Sequence, residues 1–511
     1  MGYASLGVGL SSLGRSSLFA KTLAKTPEFS FKSLGIHRED SVKIIEGFSY
    51  EIFIRYGDIL NSDGDRFGYN NDFVGMIPLN SEKTDALMWV NHEYPIPLFV
   101  SGFKAGETKT KAQVILEQKS VGGSILRVKL NRSGNWEWQR DDKFNRRIDA
   151  QTDIPLIADR PIAGFKKAIG TLANCSGGVT PWNTFLTCEE NYGDYYGEWD
   201  LDPNEKFGWA AHFSNPPEHY GWVVEVDPKK GSAKKLCALG RFSHESATTT
   251  LAPDGRCVVY SGDDATDRCL YKFVSERPGS LDRGELFVAD TLNGKWLSLD
   301  MKKNPKLKKR FKDQTEALIH AREAADLVGG TKLNRPEDIE QDPVSKDIFV
   351  ALTGNAEKGD KFGSLLRIQE KNSDPRSLEF TANEFMMGGP SLGFACPDNL
   401  AFDAKGNLWM TSDIGQRSIN KKDFEIFGNN SLFYIPMKGA EAGKIFKVAG
   451  APKDAEFTGP CLGLDQKTLF LSVQHPGEGS KNLEQLTSHW PDGGKSVPSP
   501  AVIQIKIPTS V

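Results

Sequence analysis

A hairpin motif recurs six times along this 511-residue chain, at irregular intervals. Each copy combines a short strand, a turn such as Asp-Gly, Lys-Gly or Pro-Asp, and a second strand rich in β-branched and aromatic residues. The copies cover residues 71–95, 174–192, 244–264, 336–355, 397–415 and 459–477. Their starts are roughly 50 to 100 residues apart, which leaves room for two further strands per copy. The pattern therefore predicts an all-β fold, a six-bladed β-propeller with loop and short helical insertions.

Two separate β-sandwich domains are the main alternative to this architecture. They would not explain why polar residues recur at both ends of the hairpins. One segment, residues 314–330, has helical character and ends in the stop signal Gly329-Gly330, and we interpret it as an insertion between blades. We accordingly assign residues 40–511 to a single propeller domain.

Charge and cysteine content exclude several classes of protein. The chain has 63 Lys and Arg against 67 Asp and Glu, a net charge of -4, which excludes the broadly basic field of a nucleic-acid-binding protein. No apolar run approaches the ~20 residues that a membrane-spanning helix needs. The seven cysteines are scattered and none forms a CxxC pair, which argues against a disulfide framework and a zinc ribbon.

The N-terminal 20 residues are rich in small residues, mildly apolar and free of acidic side chains. They resemble the apolar half of an export signal, although no Lys or Arg precedes Arg15. We therefore interpret residues 1–25 as the remnant of a twin-arginine-type signal truncated at Met1, and expect a periplasmic or secreted protein. A disordered tail is the alternative.

Polar side chains mark the ends of the hairpins. If the hairpins form the inner strands of the blades, these ends meet at one end of the propeller axis. The polar residues are Asn91, His92, Glu93, Asn174, Cys175, Glu189, Glu190, His244, Glu245, Asp263, Asp264, Arg335, Glu337, Asp338, Asp398, Asn399, Asp413, Gln474 and His475. Two like charges 4 Å apart repel by about 4 kcal/mol at an effective dielectric near 20, so the cluster predicts a site for several cations.

The ligand types narrow the choice of metal. Carboxylates and Asn amides are hard oxygen donors that suit Ca²⁺, and from the repeat we assign Asp398 and Asn399 as calcium ligands. Cys175 adds a thiolate, which favours a transition metal. One cysteine among several glutamates indicates iron more than zinc, although the histidines in the cluster keep zinc open.

Neighbouring residues of a strand point to opposite faces, so Glu189 and Glu190 cannot both face the axis, and we favour Glu190. Cys188, Cys257 and Cys461 lie within apolar strands, where a cysteine usually acts as a small buried hydrophobe.

Several motifs together resemble the PhoX family of alkaline phosphatases. They are FGYNND (67–72), NHEYP (91–95), GTLANCSGGVTPWNTFLTCEENY (170–192), GRFSHESATT (240–249), RPED (335–338) and ACPDN (395–399). The resemblance implies a six-bladed β-propeller, in agreement with the six copies. It also implies an exported, monomeric phosphomonoesterase with an iron–calcium cofactor on the propeller axis.

The resemblance further implies residue roles. Cys175 looks like the thiolate ligand of the iron, and Arg335 resembles a guanidinium that binds the phosphate, so these two are our catalytic candidates. The carboxylate metal ligands implied by the motifs are Glu190, Glu245 and Glu337, with Glu93 and Asp338.

The predicted function is metal-dependent hydrolysis of small phosphomonoesters, with phosphoryl transfer to water at a site containing Fe³⁺ and calcium. A calcium-dependent lactonase-type propeller hydrolase is the alternative. It needs neither a thiolate nor a phosphate-binding arginine, so Cys175 and Arg335 discriminate against it. A propeller that only binds partners is a third possibility; it predicts exposed aromatic patches, whereas the tryptophans lie mostly within strand patterns.

Overall fold

Six sheets surround one axis in the computed structural model, which describes residues 32–198 and 206–508. We call them blades I to VI, in the chain order of their innermost strands. The innermost strands contact one another in cyclic order, and that of blade VI contacts that of blade I. The predicted six-bladed β-propeller is confirmed, whereas the predicted export-signal remnant, residues 1–25, lies outside the described residues.

In each blade, the strand named first lies next to the axis and the later ones lie progressively further out. Blade I contains Asn71–Pro78, Asp85–His92, Gly122–Leu130 and Trp136–Trp138, with Arg146–Ile148 beside its third strand. Blade II contains Asn174–Val179, Phe185–Glu189, Val223–Asp227, Ser232–Leu236, Asp153–Ile157 and Lys167–Ile169. Blade III contains His244–Leu251, Cys257–Asp263, Leu270–Ser275, Gly284–Asp290 and Lys295–Ser298.

Blade IV contains Pro336–Gln341, Ile348–Leu352, Ser364–Glu370 and Phe380–Met387. Blade V contains Pro397–Phe402, Leu408–Ser412, Ser431–Ile435, Phe446–Gly450 and Lys43–Ile44. Blade VI contains Glu456–Leu462, Thr468–Gln474, Ala501–Lys506 and Ser49–Arg55. A separate two-stranded ribbon pairs Thr266–Arg268 with Leu333–Asn334.

The ring is closed by pairing between distant parts of the chain. The outermost strand of blade VI, Ser49–Arg55, runs antiparallel to Ala501–Lys506. Closure of this kind leaves no long unpaired edge at the join.

The apolar faces of neighbouring blades form the core. Between blades III and IV, for example, Val258 and Tyr260 pack with Ile339 and Val350, all buried. Burial of such side chains stabilises the fold by about 25 cal/mol per Å² of apolar surface. The blade faces therefore hold the ring rigid around the axis.

The helices occupy loops between strands. They are Pro97–Val100, Lys111–Ser120, Gly193–Tyr196, Pro305–Arg310, Gln314–Ile319 and Ala321–Val328. The predicted helix at 314–330 is present as two helices that meet at His320, and it ends at Gly329 in the left-handed conformation, with φ of 99°. None of the helices within the described ranges has the length and apolarity needed to cross a membrane.

Every innermost hairpin carries a pairing irregularity near the start of its inner strand. The register shifts after the first or second residue in five inner strands and after the third in blade VI. Such β-bulges bend the strand and redirect side chains, and they are frequent next to active sites. The bulges therefore set which residues face the axis at this end of the propeller.

Candidate metal centre

The second residue of five inner strands brings a thiol or a carboxylate to the axis. These residues are Asp72, Cys175, Glu245, Glu337 and Asp398. Glu93 and Glu190, which follow the second strands of blades I and II, join them. Residues more than 300 positions apart in sequence thus lie close together, because the inner strands of all six blades surround the same axis.

The seven side chains form three overlapping groups, in each of which the potential ligand atoms lie within 4.8 Å of one another. The groups are Asp72–Glu93–Cys175, Cys175–Glu190–Glu245 and Glu245–Glu337–Asp398. Because Cys175 and Glu245 each belong to two groups, the three form a continuous row rather than isolated sites.

All side chains of the row except that of Glu245 line a cavity of about 250 Å³. Ten acidic side chains line it: Asp72, Glu93, Glu190, Asp264, Glu337, Asp398, Asp413, Asp454, Glu456 and Glu478. Among the described residues, Arg335 is the one Lys or Arg of this lining. A volume with that balance of charge is suited to bind cations.

Glu245 is the clearest test of whether a cation fits. Its side chain is fully buried, and neither carboxylate oxygen accepts a hydrogen bond from any described residue. Buried polar atoms almost always have a partner, and a carboxylate without one is costly. Glu245 shares one group with Cys175 and Glu190 and a second with Glu337 and Asp398, so a thiol and three further carboxylates surround it. These are donors of the kind that a metal ion would need.

The other groups of the row are partly held by the protein. The Cys175 Sγ–H donates to Asp72 Oδ2 at 3.3 Å. Gln474 Nε2 donates to Asp72 Oδ2 at 3.2 Å and to Glu93 Oε2 at 2.8 Å. Asn191 Nδ2 donates to Glu190 Oε2 at 2.7 Å. These bonds orient the ligands while leaving other lone pairs free.

The protonation of the row reflects its crowding. Burial raises the pKa of Glu245, and the carboxylates of Glu190 and Glu337 raise it further. Burial likewise raises the pKa of Glu93 to about 7, and burial with the nearby Asp72 carboxylate raises the pKa of the Cys175 thiol. In the absence of cations the row therefore retains protons that metal binding would displace.

Arg335 stands at the edge of the cavity in the left-handed backbone region, with φ of 58°. Its Nε and Nη2 donate to the two oxygens of Asp264, at 3.0 and 2.8 Å. Nη2 also lies 2.6 Å from Glu337 Oε1, so the guanidinium is linked to the row.

Two predicted ligands lie outside the three groups. The Asp338 carboxylate accepts from the backbone N–H of Ile339 at 2.8 Å and of Leu400 at 2.9 Å, and thus ties blade IV to blade V. Asn399 Oδ1 accepts from Gly459 N–H at 2.8 Å, which ties blade V to blade VI. Both residues are buried between strands next to the row.

Sequence reasoning selected Glu190 over Glu189, and the two side chains do point in opposite directions. Glu190 lines the cavity, whereas Glu189 pairs with Lys235 inside blade II at 2.6 Å.

Six acidic residues of the cavity were not proposed as metal ligands or catalytic residues: Asp72, Asp264, Asp413, Asp454, Glu456 and Glu478. Asp72 occupies the same second position as Cys175 and Glu337 in the repeat, and aligning the six copies would have found it. Glu456 is the first residue of its strand, just before the sixth copy, and its carboxyl group shares a hydrogen bond with that of Asp413. Asp264 was among the polar residues expected at the hairpin ends, but the sequence did not distinguish it as a site residue.

The fold and the cavity together define a class: a six-bladed propeller with an axial, carboxylate-rich centre able to hold several metal ions. A model of the family described as alkaline phosphatase PhoX matches residues 29–477. The chain therefore belongs to the PhoX family of alkaline phosphatases.

Solved structures agree with this assignment. The chain is similar to Pseudomonas fluorescens PhoX in complex with vanadate, a transition state analogue, with a TM-score of 0.84 and 28% identity over 94% of this chain and 98% of that one. A Xanthomonas campestris gluconolactonase is 10% identical with a TM-score of 0.37, over 94% of this chain and 99% of that one; a similarity of this size does not favour the lactonase alternative. A search among curated proteins finds no match.

Proposed function

We propose that this protein hydrolyses small phosphomonoesters at the axial centre, with ferric iron and calcium as its metals. The observation that carries the proposal is the continuous row of ligand groups around the unpartnered Glu245, in a member of an alkaline phosphatase family. The vanadate bound by the Pseudomonas protein is a mimic of phosphoryl transfer, which supports the same chemistry here.

The ligands divide by chemistry. Cys175 would hold iron, because a thiolate prefers a transition metal, with Glu190, Glu93 and Asp72 beside it. The group Glu245–Glu337–Asp398 offers oxygen alone and suits calcium. We assign Asp338 and Asn399, which were predicted as ligands, to holding neighbouring strands at the correct distance.

When bound, the metals supply Lewis acidity that neutralises the phosphate and promotes ionisation of water. The protein's own part begins with Arg335, whose guanidinium is positively charged and would bind a phosphate oxygen through Nη1, since Nε and Nη2 pair with Asp264. Asn191 and Gln474 keep the carboxylates oriented, which limits the reorganisation needed during the reaction.

The cavity also selects the substrate. A space of about 250 Å³, which the metals would share, favours a compact group such as phosphate over a large ligand. Full ionisation of the row is favoured at high pH because its pKa values are raised, which agrees with an alkaline working range.

The test is the Cys175→Ala variant. We expect p-nitrophenyl phosphate hydrolysis to fall by roughly 10²–10³-fold, as for removal of one group that stabilises the transition state, with loss of iron by elemental analysis. The matched control is Cys188→Ala, because Cys188 lies in the partner strand of the same hairpin and is buried in the core. Wild-type turnover in Cys175→Ala would refute the iron assignment, and calcium as the sole metal of the wild type would favour the lactonase reading.

Export to the periplasm or medium, and a monomeric state, stay part of the proposal. Cell fractionation and light scattering of the active protein test them; activity confined to the cytoplasm would contradict the first, and a stable dimer the second.

A further inference from the structure

Arg335, beside the row of ligand groups, adjoins an element that does not belong to any blade. The two-stranded ribbon pairs Thr266 with Asn334 and Arg268 with Leu333. One strand begins two residues after Asp264, and the other ends directly before Arg335. The ribbon thus fixes the separation between the carboxylate of Asp264 and the guanidinium of Arg335.

The contact itself is a side-on pair of two hydrogen bonds. Arg335 Nε and Nη2 meet the two Asp264 oxygens at 3.0 and 2.8 Å, and the Asp264 carboxylate is buried. Within residues 32–198 and 206–508, nothing accepts a hydrogen bond from Nη1. Since the side chain is one-third exposed and lines the cavity, this edge is available to a ligand.

A second arginine secures the residue next to Asp264. Arg322, from helix Ala321–Val328, donates through Nε to Asp263 Oδ2 at 2.9 Å and through Nη2 to Ser243 Oγ at 2.9 Å. The Asp264 backbone N–H donates to Ser243 O at 3.0 Å. Asp263 and Asp264 point in opposite directions, and the helical insertion holds the first while the second holds Arg335.

We propose that Asp264 is a positioning residue that aims the Nη1 edge of Arg335 at the phosphate of the substrate, with the ribbon as its support. The inference rests on the proposed function, since Arg335 needs a phosphate to bind. Fixing a flexible side chain before the substrate arrives removes part of the entropy lost on binding. The expected consequence of losing Asp264 is weaker phosphate binding rather than loss of the metals.

The experiment compares Asp264→Asn with Asp267→Asn in the metal-loaded enzyme. Asp267 lies in the same ribbon and pairs with Lys358 at the surface, so it controls for damage to the ribbon. We expect Asp264→Asn to raise the KM for p-nitrophenyl phosphate, and the inhibition constant of inorganic phosphate, by roughly tenfold with a smaller change in kcat, as loss of one charge-assisted contact predicts. Asp267→Asn should leave both constants within about twofold.

A double-mutant cycle separates positioning from a structural role. If Asp264 acts through Arg335, Asp264→Asn should have little further effect in the Arg335→Ala background. Equal effects in both backgrounds would overturn the inference, as would loss of iron or calcium in Asp264→Asn, which would make Asp264 a metal ligand. Wild-type hydrolysis together with an unaffected Asp264→Asn would refute this inference alone, whereas an inactive metal-loaded wild type would refute the proposed function.

Discussion

Buried carboxylates occur in two different settings in this propeller. Away from the axis, three buried glutamates are each matched by a lysine: Glu117 with Lys109 at 2.8 Å, Glu189 with Lys235 at 2.6 Å, and Glu370 with Lys272 at 3.0 Å. Neutral donors complete these sites. Glu189, for instance, also accepts from Thr171 Oγ1 and from the backbone N–H of Gly221 and Trp222.

On the axis the arrangement is reversed. Glu245 has no donor among the described residues, and ten acidic side chains of the cavity face a single arginine. The fold can evidently neutralise a buried carboxylate with its own residues, because it does so three times elsewhere. The difference teaches that the axial charges are arranged for positive charge supplied from outside the chain.

The largest effect should come from breaking an internal pair. Lys235→Met leaves Glu189 buried without its cation, and we expect a loss of about 3–5 kcal/mol in the free energy of unfolding, measured with urea. The control is Lys230→Met, because Lys230 pairs with Asp227 at the surface and should contribute under about 1 kcal/mol. If both variants lost the same small amount of unfolding free energy, the buried pair would contribute no more to stability than the surface pair, and the prediction would be wrong.

Buried carboxylates at and beside the axis should make the stability of the metal-free protein depend on pH. Burial raises the pKa of Glu93 to about 7 and that of Asp338 to about 6. The unfolded chain ionises these groups first, so the metal-free protein should lose stability as pH rises from about 4 to 7, by up to about 1.4 kcal/mol per pH unit for each group. Urea unfolding of chelator-treated protein checks this, and a rise in stability over that range would contradict it.

A smaller effect should follow from removing one axial charge. In metal-free protein at a pH high enough to ionise the row, Glu245→Gln relieves repulsion from Glu190 and Glu337 and should raise the free energy of unfolding by about 1 kcal/mol. In metal-loaded protein the same change should lower it, because a ligand is lost. Thermal unfolding with and without chelator distinguishes the two signs; a decrease in both states would mean that Glu245 serves the fold itself.

The architecture was accessible from sequence because turn chemistry and strand pattern are local signals, and six copies reinforced one another. The convergence of Cys175, Glu190, Glu245, Glu337 and Asp398 followed from that architecture. The bulges were not accessible, since no residue pattern marks them. In a regular strand Glu337 and Asp338 differ only in facing opposite sides, and the structure was needed to show that Asp338 binds the backbone of Leu400.

The link between Arg335 and Asp264 was also beyond sequence reasoning. It depends on a ribbon of three and two residues between segments about 70 positions apart, too short to produce a recognisable pattern.

Closure of the ring has a consequence for biosynthesis. The side chains of Glu51 and Gln504 bond across 453 positions of sequence, and blade VI, which supplies Gln474 to the ligand row, is completed only by that join. A chain that still lacks its strand Ala501–Lys506 cannot complete blade VI and therefore cannot enclose the axis. Ions should therefore be captured late, after release of the finished polypeptide, and in whichever compartment the two ends first meet.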